Sequence, residues 1–213
     1  MMDGLLAAFA PLMQAAFTLW GSPVTWLEVL AVALALAMVV CNIRVIHWGW
    51  PLAAASALLY FLLFWQHRLY GDAALQIFFV IVALWGWWQW LCGRRADGSR
   101  LDVRYLGWRG RLLAVLAVVL TWPGLGAWLD RHTDTDVPYW DAFPTVASVV
   151  AQALLARKFV ENWMVWLVVN LVALALFVHK ALWLTAALYA VFAASSLVGW
   201  RAWHRRAAAR TDA

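Results

Sequence analysis

The side chains of this sequence that could hold a solute are few: a glutamine, two asparagines and a set of tryptophans at helical spacing. Trp163, Trp166 and Asn170 stand at i, i+3 and i+7, so a helix would line them along one face, with Asn162 at its start. Gln76, Ala83, Trp87 and Trp90 form a second stripe of the same kind. Indole faces with a few amides suit a flat, partly polar molecule, the rings stacking on it while the amides exchange hydrogen bonds. Asn162 reads equally as a helix cap. The acidic Glu28 and Asp141 lie near helix starts, where they are candidate gate residues or bind neighbouring backbone groups.

Catalysis is not written here. There is no His-Glu-x-x-His helix and no Gly-x-x-x-x-Gly-Lys phosphate loop, so neither a metal-dependent hydrolase nor an ATP-driven pump is expected. A retinal-type pigment needs a lysine deep in a helix, and the only lysines, Lys158 and Lys180, fall at helix ends. The reading is a protein that is not an enzyme, with no catalytic residues, cofactor or metal. Cys41 and Cys92 fall near inner helix ends, where no disulfide is expected.

What positions these residues is set by composition. Of 213 residues 66% are hydrophobic and 13% charged, with a mean hydropathy of +0.76, too little polar surface to cover a soluble globule. A membrane-spanning helix needs about 20 apolar residues, and seven stretches qualify: 26–43, 49–66, 70–92, 110–129, 142–157, 161–179 and 181–203. Residues 1–25 carry Asp3, Pro11 and no Lys or Arg, and read as an interfacial helix rather than a signal peptide.

A net charge of +5 and a pI near 9.7 are of the kind found in nucleic-acid binders, but here the charges are sorted by side. With the N-terminus outside, 13 of the 16 basic residues fall on inner loops and the tail, and only Arg68, Arg131 and Lys180 fall outside. That is the positive-inside pattern, and it predicts an outer N-terminus, a cytoplasmic C-terminus and no nucleic-acid partner.

Residues 28–90 and 141–203 are two versions of one segment at a fixed offset of 113. The match is densest between 69–90 and 182–203, where nine of 22 positions agree, among them Gly86/Gly199, Trp87/Trp200 and Trp90/Trp203. Arg44 meets Arg157, Trp50 meets Trp163, and Glu28 falls on Asp141. A three-helix unit that starts outside ends inside, so a second such unit requires one extra span, supplied by 110–129. Its Thr121-Trp122-Pro123-Gly124-Leu125-Gly126 core has a helix breaker's composition. The expectation is an all-α membrane protein of seven transmembrane helices in a 3+1+3 order with parallel repeats, and a solute site near the midplane between the third and sixth spans. The segments are 1–25; a first repeat, 26–92; a connecting region, 93–140; a second repeat, 141–204; and a basic tail, 205–213.

Most tryptophans near span ends are expected in the aromatic belts of the bilayer surface: Trp20, Trp26, Trp65, Trp128, Trp140 and Trp183 outside, and Trp48, Trp50, Trp108, Trp200 and Trp203 inside. Gln76 reads as a ligand contact or an interhelical hydrogen bond, and His179 and Lys180 as snorkelling groups. Glu28, Asp72 and Asp141 are the acidic residues near the bilayer, none at its midplane, so facilitated diffusion is expected rather than proton or sodium coupling.

The run Arg157-Lys158-Phe159-Val160-Glu161-Asn162-Trp163-Met164-Val165-Trp166, closed by Asn170, resembles the signature of PnuC-type nicotinamide riboside transporters. So do Leu75-Gln76-Ile77-Phe78-Phe79, Gly86-Trp87-Trp88-Gln89-Trp90 and Pro138-Tyr139-Trp140-Asp141, and the likeness spans roughly 26–203. The resemblance implies a bacterial inner-membrane protein with SWEET-like architecture, usually a homotrimer. Such proteins carry a vitamin-like nucleoside by facilitated diffusion, and a separate cytoplasmic kinase traps it by phosphorylation. Trp85 stands where the family often has Tyr. Thiamine and riboflavin transporters share the fold and are the alternative substrate classes, with a non-transport receptor as a further alternative.

Overall fold

The computed structural model describes residues 9–19, 22–66, 70–95, 98–133, 137–179 and 183–211. Among them are seven α-helices: α1 (Trp26–Arg44), α2 (Gly49–Gln66), α3 (Tyr70–Cys92), α4 (Trp108–His132), α5 (Pro138–Ala156), α6 (Asn162–His179) and α7 (Trp183–Thr211). Five of them contain stretches long and apolar enough to cross a membrane, α5 and α7 being the exceptions among the described residues. The expected span limits hold to within a few residues, except that α7 runs on through the basic tail to Thr211. Asp3, Trp20, Arg68, Asp136 and Lys180 lie outside the described residues, as do the side chains of Asp72, Trp183 and Arg210.

Two expectations need correction. The segment before α1 is not helical over its second half: a 3-10 turn (Ala10–Met13) leads into strand β1 (Ala15–Leu19), which pairs antiparallel with β2 (Ser22–Thr25). Hydrophobicity suggested a helix there, but the short Phe17-Thr18-Leu19 and Val24-Thr25 runs flank Gly21-Ser22-Pro23, a turn composition that favours a hairpin. In the other case, α4 passes through Pro123 without a break. Gly126, rather than ending the helix, lets α5 approach: a Cβ there would sit 2.4 Å from the Tyr139 ring, and Trp122 Nε1 donates to Tyr139 O at 2.7 Å. Small residues at membrane helix contacts act in this way.

The chain divides into two compact units, Met1–Leu91 and Cys92–Ala213. In the first, α1 opens with a capping box: Thr25 Oγ1 accepts from Glu28 N at 3.2 Å while Glu28 Oε2 accepts from Thr25 N at 2.7 Å. Leu27 and Ala31 of α1 bury against Leu59, Leu62 and Leu63 of α2, and Ser56 Oγ on α2 donates to Ala31 O at 3.0 Å. Helix α1 ends in a left-handed residue, Val45 (φ 61°), where Val45 N donates to Asn42 O and Ile46 N to Cys41 O. This is a Schellman closure, usually made with glycine.

The second unit repeats that corner at the same offset. Lys158 (φ 57°) is left-handed, Lys158 N donates to Leu155 O and Phe159 N to Leu154 O. Gly49 N→Ile46 O and Trp50 N→His47 O recur as Asn162 N→Phe159 O and Trp163 N→Val160 O. Val45 and Lys158 are the only non-glycine residues with positive φ among those described, so the duplication is carried in the backbone as well as in residue types.

Candidate functional site

Each unit is braced by a pair of indoles. In the first, Trp50 meets Trp90 edge-on, ring centroids 5.7 Å apart and planes at 83°, and Gly86 leaves room for the Trp50 ring, which a Cβ would approach to 2.3 Å. In the second, Trp163 meets Trp203 at 5.7 Å and 85°, with Gly199 giving the clearance. Such edge-to-face pairs are worth about 0.5–1.5 kcal/mol beyond the area they bury. Trp50 and Trp203 were expected in the inner aromatic belt, yet they are 2% and 0% exposed. Distance along a span says nothing about which way a side chain faces, and here the facing glycine draws the ring inward. Trp26, Trp48, Trp108 and Trp128 are more than half exposed, as belt residues are.

The expected binding residues therefore sort by environment. Trp90 and Trp163 belong to the indole braces. Asn162 is wholly buried, and its Nδ2 donates back to Phe159 O at 2.6 Å instead of its oxygen capping the helix. That leaves Asn162 Oδ1 and the neighbouring Trp163 Nε1 buried without hydrogen-bond partners among the described residues. Asn170, on the buried side of α6, donates through Nδ2 to Ser196 Oγ on α7 at 3.2 Å, and Ser196 Oγ in turn donates to Phe192 O at 2.9 Å. Among the described residues, one N–H and the carbonyl of the Asn170 amide have no hydrogen-bond partner. Trp166 is half-buried on the same helix, and in the first unit Gln76 and Trp87 are half-buried on α3, with Trp87 Nε1 buried and without a hydrogen-bond partner among the described residues. Glu28 is occupied by its capping box, and Asp141 sits in the first turn of α5, its N–H bonded to Val137 O.

Sequence reasoning passed over Glu161. Its Oε2 accepts from Leu106 N at 2.9 Å, and its Oε1 accepts from Arg111 Nη2 at 2.7 Å and Nε at 3.0 Å. Beside it, Arg104 N donates to Lys158 O, Val160 N donates to Arg104 O, and Lys158 Nζ donates to Leu101 O. The run 157–162, read above as a family signature, is thus the seat on which the loop before α4 is sewn to the α5–α6 corner. Nothing in helical periodicity announces such a contact, because its partners are some 50 residues away in sequence.

Neutral groups dominate the buried polar set: Asn42, Ser56, Gln89, Asn162, Asn170 and Ser196. Amides, hydroxyls and indoles can hold an uncharged or delocalised aromatic solute by stacking and hydrogen bonds.

The family profile described as "Nicotinamide mononucleotide transporter" matches residues 25–205. The chain is 33% identical over 195 residues to the "Riboflavin/roseoflavin transporter RibM" of Streptomyces davaonensis, covering 90% of each chain. It is 25% identical to the "Nicotinamide riboside transporter PnuC" of Escherichia coli, covering 68% of this chain and 71% of that one. A crystal structure of "the Vitamin B3 transporter PnuC" shares the fold with a TM-score of 0.68 at 24% identity, covering 96% of this chain and 87% of that one. On residues 25–205, then, the chain belongs to the nicotinamide mononucleotide transporter family, the PnuC-type multi-pass membrane proteins, whose members it resembles here are transporters and not enzymes.

Proposed function

We propose that the chain carries a flat heteroaromatic vitamin across the membrane by facilitated diffusion, with riboflavin as its first substrate. The observation that carries this reading is the 33% identity over 90% of both chains with a riboflavin/roseoflavin transporter. The neutral buried polar set supports it, since an isoalloxazine ring is flat and uncharged and needs amide partners rather than a counter-charge. Nicotinamide riboside is the second reading, supported by the PnuC relative, and its pyridinium would gain about 0.5–2 kcal/mol from an indole face once desolvated. Thiamine is the third.

In the second unit, Trp166 and the free half of the Asn170 amide are the proposed contacts, with Asn162, Trp163 and Ser196 holding them in place. In the first unit Gln76 and Trp87 are the proposed contacts, with Trp90 as support. Glu28 and Asp141 serve the helix starts. The accompanying proposals are parallel three-helix repeats joined by α4, an outer N-terminus and cytoplasmic C-terminus in a bacterial inner membrane, a homotrimer, and trapping of the solute by a cytoplasmic kinase.

Uptake of labelled riboflavin, nicotinamide riboside and thiamine into vesicles holding the purified protein tests this. Riboflavin flux should saturate and follow the riboflavin gradient alone, and Asn170→Ala and Gln76→Ala should each weaken binding about tenfold, the loss of one to two buried hydrogen bonds at about 0.5–1.5 kcal/mol each. Preferred uptake of nicotinamide riboside would reverse the order of substrates. Flux driven by an imposed pH gradient would overturn uniport, and unchanged affinity in both variants would remove those amides from the site.

A further inference from the structure

The loop between α3 and α4 is more than a tether. Arg95 N donates to Ser99 O at 2.8 Å and Gly98 N to Arg95 O at 3.0 Å, closing a tight turn whose Gly98 has φ +80°, and Arg94 Nη1 donates to Gly98 O. Leu101 and Val103 then bury, anchoring the strand of chain that meets Lys158 and Val160. Between this turn and the far end of α7 lies a cavity of about 430 Å3, bordered by Arg95, Ser99, Asp102, Arg104, Tyr105 and Ala207. Its size falls within the ~300–1,000 Å3 common for small-ligand sites. The hydroxyl of Tyr105 is hydrogen-bonded to His204 Nδ1, which joins the loop to α7 beside the cavity.

We propose that this cavity binds a phosphate group. Two guanidinium groups and two hydroxyls border it, against one carboxylate, Asp102; Ser99, Asp102 and Arg104 have interactions within the chain and the Tyr105 hydroxyl is bonded to His204, so the attraction for an anion falls chiefly to Arg95. Arg95 Nε is buried and has no hydrogen-bond partner among the described residues. A buried, unanswered guanidinium N–H is costly, and a tetrahedral oxyanion answers it with charge-assisted bonds in a geometry that guanidinium favours. A bias of arginines toward one side of a membrane accounts for their number in this loop, but not for an open cavity bordered by one whose Nε is buried and unanswered among the described residues. Arg104 is the lesser contributor, because its guanidinium lies over the Phe159 ring at 4.6 Å. The phosphate could be that of a soluble monoester or of a lipid headgroup.

The test uses the full chain delipidated in a maltoside detergent, which carries no phosphate. Equilibrium dialysis with labelled inorganic phosphate and with AMP, at low salt and with acetate at equal ionic strength as control, reads the soluble source. Native mass spectrometry after exposure to vesicles containing phosphatidylglycerol reads the lipid source. Saturable binding of phosphate or AMP at one site per chain, weakened at least tenfold by Arg95→Gln and less by Arg95→Lys, establishes the soluble ligand. Retention of one phosphatidylglycerol per chain, lost in Arg95→Gln, establishes the headgroup. If Arg95→Gln does not yield monodisperse protein, Arg95→Lys keeps the charge but loses the forked geometry, and a several-fold loss is then the expected result. Absence of Arg95-dependent binding of any of the three probes overturns the proposal.

Discussion

Trp50 and Trp90 in the first unit and Trp163 and Trp203 in the second meet at the same separation and nearly the same angle, each pair beside a glycine, yet the polar residues around them differ. Where the second unit has Asn170 bonded to Ser196, the first has Ala57 and Ala83, both buried. Where the first unit opens α1 with the Thr25–Glu28 capping box, the second begins α5 on Pro138 at the position matching Thr25. Duplication has kept the apolar brace and the corner, which fix how helices meet, and let the polar groups diverge.

That contrast can be broken at three depths. Trp163→Ala and Trp50→Ala should each cost about 3–5 kcal/mol, the price of removing a large buried aromatic, read as lowered thermal midpoints in detergent. A large loss in one unit with none in the other would end the equivalence of the braces. Gly199→Ala and Gly86→Ala should cost about 1–3 kcal/mol each by overpacking, with Trp163→Leu relieving the first and Trp50→Leu the second. Smallest is Ser196→Ala, which removes an interhelical bond worth about 0.6 kcal/mol in a membrane protein. It should lower the midpoint slightly, and a larger effect on substrate affinity than on stability would place Ser196 among the ligand contacts.

Helix limits were legible because a bilayer sets a minimum apolar length, so α2 and α3 begin and end where hydropathy places them. The repeat was legible too, and Gly86 and Gly199 were among its matched positions. Their meaning was not, since a glycine in a sequence does not name the ring that will lie on it. The hairpin before α1 was missed because apolar content outweighed a turn signal at Gly21-Ser22-Pro23. Glu161 was missed because its partners, Leu106 and Arg111, come from a loop with no periodic pattern. For the candidate site, residue types and helical spacing named the candidate residues, while the division between the indole braces and the half-buried side chains needed three dimensions.

The left-handed corners at Val45 and Lys158 share the same set of main-chain bonds, whatever side chains surround them. Neither a valine nor a lysine is chosen for that conformation, which costs a β-branched residue more than a glycine. Geometry stored in this manner is transferable: an exchange of residues 41–50 for 154–163 should give a chimera whose helices still turn back correctly, leaving each lineage free to rewrite its lining without losing its frame.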